Sequence, residues 1–363
     1  MRSFRICSGC CVWGLLCCLS PALSGQVIAQ SALPRLQEVR IIGAEADEGP
    51  ALFSRIQSVT AGPDGEIFVL DALAPRIRAF DREGTCFIET GIEGSGPGET
   101  RLPIALLLAP DGSFTVLDMR LNRVTRFGPD GSLLDTRPIP AIGSSTLRSA
   151  VGDPTGIALY YVHLDFRTFS TVISKPTTDG NELEDVMRVE EWPLKVDGSP
   201  AMFYPLAAGP GGVLAIGDGD LAYEIRIFDS KGRPLRTIER EIARRHKTDE
   251  EIEREEERLE QGADRIAREG GREAMMTRPE TDPLKHYFYA DALRFDDTER
   301  LWILTGRGDE NRSVFDLFAP DGSFLGEVEV DRVISRYDIR GPWLVASGFT
   351  AEGVPVAVLY RID

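Results

Sequence analysis

Two stretches, PDGEIFVLDALAPRIRAFDREG (63–84) and PDGSFTVLDMRLNRVTRFGPDG (110–131), decide how the chain is read. At one offset of 47 residues, Pro63, Asp64, Gly65, Val69, Leu70, Asp71, Arg76, Phe80 and Gly84 meet identical residues, and Ile77 meets Val124. A gapless match of that density marks a structural repeat, and a period near 50 points to a propeller or a solenoid. Within each copy an Asp-Gly pair, suited to a tight hairpin because glycine accepts positive φ, precedes a β-branched run such as Ile67-Phe68-Val69. A second run, 76–80 or 123–127, ends at another glycine turn. Each unit therefore reads as a small antiparallel meander.

The closing turn of the unit can be followed through Gly84, Gly131, Gly180, Gly232 and Gly322, at spacings of 47, 49, 52 and 90. The last interval holds one unit plus an insertion. A sixth unit, from Ile334 to Asp363, has only three strand-like runs, and the run LQEVRII (36–42) stands alone before the first unit. Joined, they complete a blade. The expected fold is all-β: a six-bladed β-propeller closed by N- and C-terminal strands in one blade, with a charged helical insertion at about 241–278 between blades 4 and 5. A linear β-solenoid has much shorter rungs and would not need the stray strand.

The stretch GIEGSGPGETRLPIALLLAPDGSFTVLDMRLNRVTRFGPDGSLL (91–134) resembles the repeat of NHL-type propellers and of bacterial exported six-bladed β-propeller proteins. It shows a G-x-G-P-G-E connector, Pro103 opening a strand, the D-G turn, the V-x-D strand end, and Asn122-Arg123-Val124 starting the third strand. LRFDDTERLWIL (293–304) is similar to a D-G-x-L-W-V segment of the same bacterial proteins. Propellers of this kind include lyases, lactonases and binding proteins, so the resemblance implies a fold and leaves activity open.

Arg2 and Arg5 precede an apolar run, 6–19, and then small residues, which reads as a signal peptide over 1–29 leading to a domain over 30–363. Five of the six cysteines (7, 10, 11, 17, 18) belong to that leader, leaving Cys86 alone, so neither an internal disulfide nor a cysteine metal site is expected. Leu16 stands where a lipid-anchoring signal wants a small residue. The chain is expected in the periplasm or outside the cell, unanchored, without a membrane span, and monomeric. Its formal charge of -17 argues against nucleic-acid and membrane-surface partners.

The glycines of GSGPGE (94–99) fail as a phosphate cradle. Glu99 stands where a third loop glycine would fall, and the chain runs on into a strand instead of a helix. The loop reads as a connector between blades. Only His163, His246 and His286 are present, too few for the histidine-rich zinc site that the resemblance to amidating lyases would imply; His163 and His286 could meet only at the channel. Related lactonases imply Glu, Asn and Asp around calcium. Asp118, Asn122 and Asp218 are oxygen donors of that type, but Asp71 and Asp118 recur in the repeat, which points to turn capping. No G-x-S-x-G elbow occurs. No catalytic residue, metal or cofactor is assigned.

TDEEIEREEERLEQGADRIAREGG (248–271) begins with a capping box, Thr248 and Glu251, and carries a thin apolar stripe of Ile252, Leu259, Ala263 and Ile266. Topology puts this helix on the face where the second-to-third strand loops lie and the channel opens. Candidate ligand contacts on that face are Arg101, Arg120, Asn122, Arg167, Tyr204, His286 and Tyr287. The expected function is a non-enzymatic binding platform for a protein or small molecule; the alternative is a metal-dependent lyase or lactone hydrolase using the central channel.

Overall fold

The computed structural model describes residues 33–45, 48–73, 75–140, 145–152, 159–165, 170–177, 182–189, 205–218, 222–257 and 281–363. The leader (1–29), Gly180, Arg167, Tyr204 and the apolar-stripe residues Leu259, Ala263 and Ile266 lie outside them.

Strand β1 (Leu36–Ile42) belongs to the last blade, and blade 1 follows as β2 (Ile56–Ala61), β3 (Ile67–Asp71), β4 (Arg76–Phe80) and β5 (Cys86–Thr90). Blade 2 is β6 (Pro103–Leu108), β7 (Phe114–Asp118), β8 (Arg123–Phe127) and β9 (Leu133–Pro138). Blade 3 is β10 (Ser145–Gly152), β11 (Leu159–Asp165), β12 (Ser170–Pro176) and β13 (Leu183–Val189). Blade 4 is β14 (Leu206–Ala208), β15 (Leu214–Asp218), β16 (Glu224–Phe228) and β17 (Pro234–Glu239). Blade 5 is β18 (Phe288–Phe295), β19 (Leu301–Thr305), β20 (Ser313–Phe318) and β21 (Phe324–Val330). Blade 6 joins β22 (Ile334–Arg340), β23 (Trp343–Phe349) and β24 (Pro355–Ile362) to β1, with Leu36 opposite Ile362.

The sequence repeat is a repeat of pairing. Asp71 faces Arg76 and Ile67 faces Phe80 in blade 1, just as Asp118 faces Arg123 and Phe114 faces Phe127 in blade 2. The first strands β2, β6, β10, β14, β18 and β22 each contact the next around a closed ring, so they form the wall of the central channel. The core is spread between blades: Val345, Ala357 and Leu359 of blade 6 pack on Ile67, Val69 and Phe80 of blade 1, and Phe68 and Leu70 pack on Leu106, Phe114 and Phe127 of blade 2. Burying both faces of every blade against neighbours is what makes ring closure favourable, at about 25 cal/mol per Å² of apolar surface removed from water.

The turn glycines have a packing role besides their φ. Gly131 has φ +80°, and a Cβ there would lie 2.8 Å from Ile88 Cγ2 on β5, the outer strand of the preceding blade. That turn can approach its neighbour only without a side chain.

The connector reading of GSGPGE holds. Arg123 donates to the carbonyls of Ser95 (3.1 Å), Gly96 (2.6 Å) and Glu99 (2.5 Å), while the Gly96 N–H donates back to Glu99 Oε2 at 2.6 Å. The repeated aspartates are caps: Asp71 accepts the backbone N–H groups of Ser54 and Arg55, and Asp118 those of Arg101, Leu102 and Leu121.

Between blades 4 and 5 the chain leaves on a two-stranded stem, where Lys247 N–H donates to the Pro283 carbonyl (2.8 Å) and Lys285 N–H to that of Arg245 (2.8 Å). Helix α1 (249–257), the one α-helix among the described residues, starts with the expected capping box: Glu251 N–H donates to Thr248 Oγ1 at 3.2 Å, and Thr248 N–H to Glu251 Oε2 at 2.9 Å. Among the described residues no helix is long and apolar enough to cross a membrane.

Candidate functional site

The channel wall is mostly apolar or small (IQSVTA in β2, PIALLL in β6, LAA in β14), and among the described side chains its charged residues gather on the adjacent strands β18 and β22. In β22 the alternation of a strand separates two rows. Tyr337 and Ile339 are buried in the core shared with blade 5, whereas Arg336, Asp338 and Arg340 fall on the other row and bond to residues of neighbouring blades. Strand β18 contributes through a bulge: between the pairs Phe288–Thr305 and Leu293–Ile303 it takes five steps where β19 takes two, which displaces Asp291 from the ladder.

The two strands meet through two acid–base pairs. Arg336 Nη1 ion-pairs with Asp291. Arg294 Nε lies 3.8 Å from Asp338 Oδ1, and the Arg294 guanidinium sits 5.7 Å over the ring of Tyr337, which helps hold it. Asp338 Oδ2 also accepts the Ala61 N–H of blade 1 at 3.1 Å. Arg340 Nη2 donates to the Leu108 carbonyl at 2.8 Å, reaching past blade 1 to blade 2. About 25% of the Asp338 side chain remains accessible, so the carboxyl meets channel water although protein surrounds it. Desolvation pushes this carboxyl above its usual range, against the opposing pull of Arg294, the Ala61 N–H and Arg340. The arrangement therefore brings a carboxyl that holds its proton more tightly than usual, a second carboxylate and arginine donors together on two adjacent inner strands.

A second feature flanks the stem: a charged cleft of about 760 Å³ between the insertion and the Gly308–Arg312 loop of blade 5. Its charges are matched, Lys285 to Glu251 (2.7 Å) and Arg312 to Asp309 (3.3 Å). Burial pushes the Glu251 carboxyl up, but its bonds from Lys285 and the Thr248 N–H outweigh this and hold it below the usual carboxylate range. What fastens the stem to the propeller is Lys285 Nζ, which donates to the Gly308 carbonyl at 3.2 Å, and Arg245, which donates to the Arg307 carbonyl.

Of the residues selected from sequence, Arg101 precedes β6 and Arg120 lies in the loop between β7 and β8, both exposed. Asn122, at φ +47°, is a turn residue whose carbonyl accepts the Ile139 N–H at 2.9 Å. Tyr287 is partly buried against the core, edge-on to Tyr223 at 5.9 Å, and His286 stacks edge-on with Tyr289 at 5.5 Å. His163 does not face the channel: it lies in β11, where Ser174 Oγ is 2.8 Å from Nε2 and donates to Asp185 Oδ1 at 2.7 Å. Since the single hydroxyl proton goes to Asp185, Nε2 must be the donor to Ser174, the reverse of a nucleophile-activating pair. Ser174 is also fully buried.

Asp291, Arg294, Arg336, Asp338 and Arg340 escape a reading that rests on histidines, elbow serines and loops. Their signal in the sequence is R-x-D-x-R at two-residue spacing in the first strand of a blade, where other blades carry apolar or small residues.

No family model matches the sequence, and no curated protein matches it. The structure is similar to that of a gluconolactonase from Xanthomonas campestris, at 11% identity and a TM-score of 0.52 over 91% of this chain and 95% of that one. It is similar to a luciferin-regenerating enzyme at 11% identity and a TM-score of 0.50, over 91% and 95%. A protein of Bacteroides fragilis provisionally described as exported gives 10% identity and a TM-score of 0.50, also over 91% and 95%. The shared property at such identities is the six-bladed propeller fold.

The comparison corrects the expectation of a non-enzymatic binding platform. Two of these neighbours are enzymes, so the fold gives no ground for calling the chain non-enzymatic. That expectation leaned on scarce histidines and a missing serine elbow, which argue against a histidine zinc site and a serine nucleophile. Neither argues against acid–base work by channel carboxylates.

Proposed function

We propose that the chain is an enzyme of the lactone hydrolase or lyase type, working on a small substrate in the central channel. The observation that carries this is the pair of carboxylates, Asp291 and Asp338, on adjacent inner strands, each matched to an arginine of the other strand. Asp338, whose carboxyl desolvation holds above its usual range, is the proton donor to the leaving oxygen. Asp291 orients the attacking water or removes the substrate proton, and Arg294 faces the oxygen on which negative charge develops. Among the described residues no three His, Cys, Asp or Glu side chains gather in a group that could hold a metal ion, so no step passes through one.

The finer family reading is an exported, NHL-like bacterial propeller. It is supported by the repeat motifs of 91–134, by the basic and apolar order of 1–29, and by similarity to a propeller provisionally described as exported.

The test is turnover of γ- and δ-lactones by the purified chain, with and without a chelator. Asp338→Asn should lower kcat by about 100-fold or more, and chelation should leave the rate unchanged. Absence of turnover across the panel, or wild-type rates in both Asp338→Asn and Asp291→Asn, would refute the reading.

A further inference from the structure

The charge of the channel wall runs opposite to the charge of the protein. The whole chain carries -17, yet among the described side chains of the inner strands the charged residues are three arginines (294, 336 and 340) against two aspartates (291 and 338). The desolvation that disfavours ionised Asp338 widens that excess.

The arginine donors are only partly used. Arg336 spends Nη1 on Asp291; Arg294 spends Nη1 on the Leu293 carbonyl at 2.7 Å and keeps a loose 3.8 Å approach to Asp338. Nη2 of both residues has no bonding partner among the described residues, and 27% and 29% of the two side chains remain accessible. Arg340, by contrast, is committed to the Leu108 carbonyl. Two planar forks from adjacent strands, with donors left over, match a carboxylate better than a neutral polyol.

We infer that the channel recognises a carboxylate-bearing small molecule, with Arg294 and Arg336 as the groups that select it. This deepens the reading of the channel as a catalytic site: the substrate or product carries an acid group besides the bond that is broken. The acidic outer surface repels such a ligand at long range while the channel attracts it, so binding should depend on contact within the channel.

Calorimetric titration of the full chain tests this with gluconate and malate, each against a neutral counterpart, glucitol and malamide. At least one carboxylate should bind about 10-fold or more tightly than its counterpart, as a charge-assisted bidentate contact allows. Arg294→Gln with Arg336→Gln should abolish that preference while the thermal transition persists, and Asp338→Asn should keep it. Equal binding of acids and neutral counterparts by the wild-type chain, which needs no variant to fold, would overturn the inference. So would an undiminished preference in the folded double variant. Selective binding by Asp338→Asn without turnover by the wild type would sustain the inference and sink the catalytic reading.

Discussion

The Asp118 carboxylate accepts the backbone N–H of Arg101 at 2.6 Å, tying the end of the second strand of blade 2 to the residue that leads into its first strand. The same carboxylate takes the N–H groups of Leu102 and Leu121, so one side chain satisfies three backbone donors where loops meet. Its recurrence at Asp71 follows from that architectural need.

Asp118→Ala should therefore lower stability by about 3 kcal/mol, since it strands part-buried donors that water reaches poorly. Denaturant unfolding measures this. An effect within about 0.5 kcal/mol, the range of an ordinary surface change, would show that water replaces the carboxylate.

Gly131→Ala and Gly49→Ala separate backbone strain from steric conflict. Both glycines have φ near +80°, but at Gly49 an added methyl would meet nothing within 4 Å, whereas at Gly131 it would meet Ile88. Gly49→Ala should cost about 1 kcal/mol and Gly131→Ala at least about 1 kcal/mol more. Equal costs from the two unfolding curves would mean that the blade-to-blade contact yields freely.

Asp338 should make stability fall as pH rises. Its folded pKa lies above the unfolded one, so the penalty is absent below the unfolded value and develops as pH climbs through the folded one. Melting temperatures from about pH 4.5 to 7.5 should show Asp338→Asn gaining on wild type with rising pH, by roughly a degree or two. A constant difference would mean that desolvation does not govern this group.

His163 has the opposite sign. Burial pulls its pKa down, helped by Arg188 and opposed by Asp185 and Asp165, so the neutral ring contributes stability that is lost as pH falls through the folded value. Its Nδ1 is buried without a hydrogen-bond partner among the described residues, leaving an added proton no acceptor. Between about pH 7.5 and 5, wild type should lose more melting temperature than His163→Gln. Parallel losses would reject a charge penalty at this site.

The propeller was legible because its turns repeat. Asp-Gly pairs, the strand-end aspartates and the third-strand arginines are local necessities of blades 1 and 2, where they recur at one offset, and the glycine turns carry the period onward. Strand β1 could be assigned to blade 6 because the last unit lacked a strand and 36–42 lacked a partner. The insertion's capping box was equally local. The candidate site was far less legible. Asn122 and Tyr287 were selected for their loops, but their neighbours give them backbone and packing roles. The channel charges went unnoticed because ISRYDIR alternates like any half-exposed strand.

The sequence by itself determined the repeat, the turn chemistry, the closing strand and the net negative charge, since each follows from residues near one another or from a sum over the chain. Only the tertiary structure decided that Asp338 bonds to blades 5 and 1 and Arg340 to blade 2, and that a bulge brings Asp291 to Arg336. Which side of an inner strand faces the channel depends on how all six blades close. Contacts between β18 and β22, or between Asp338 and Ala61 at the far end of the chain, exist only once they have.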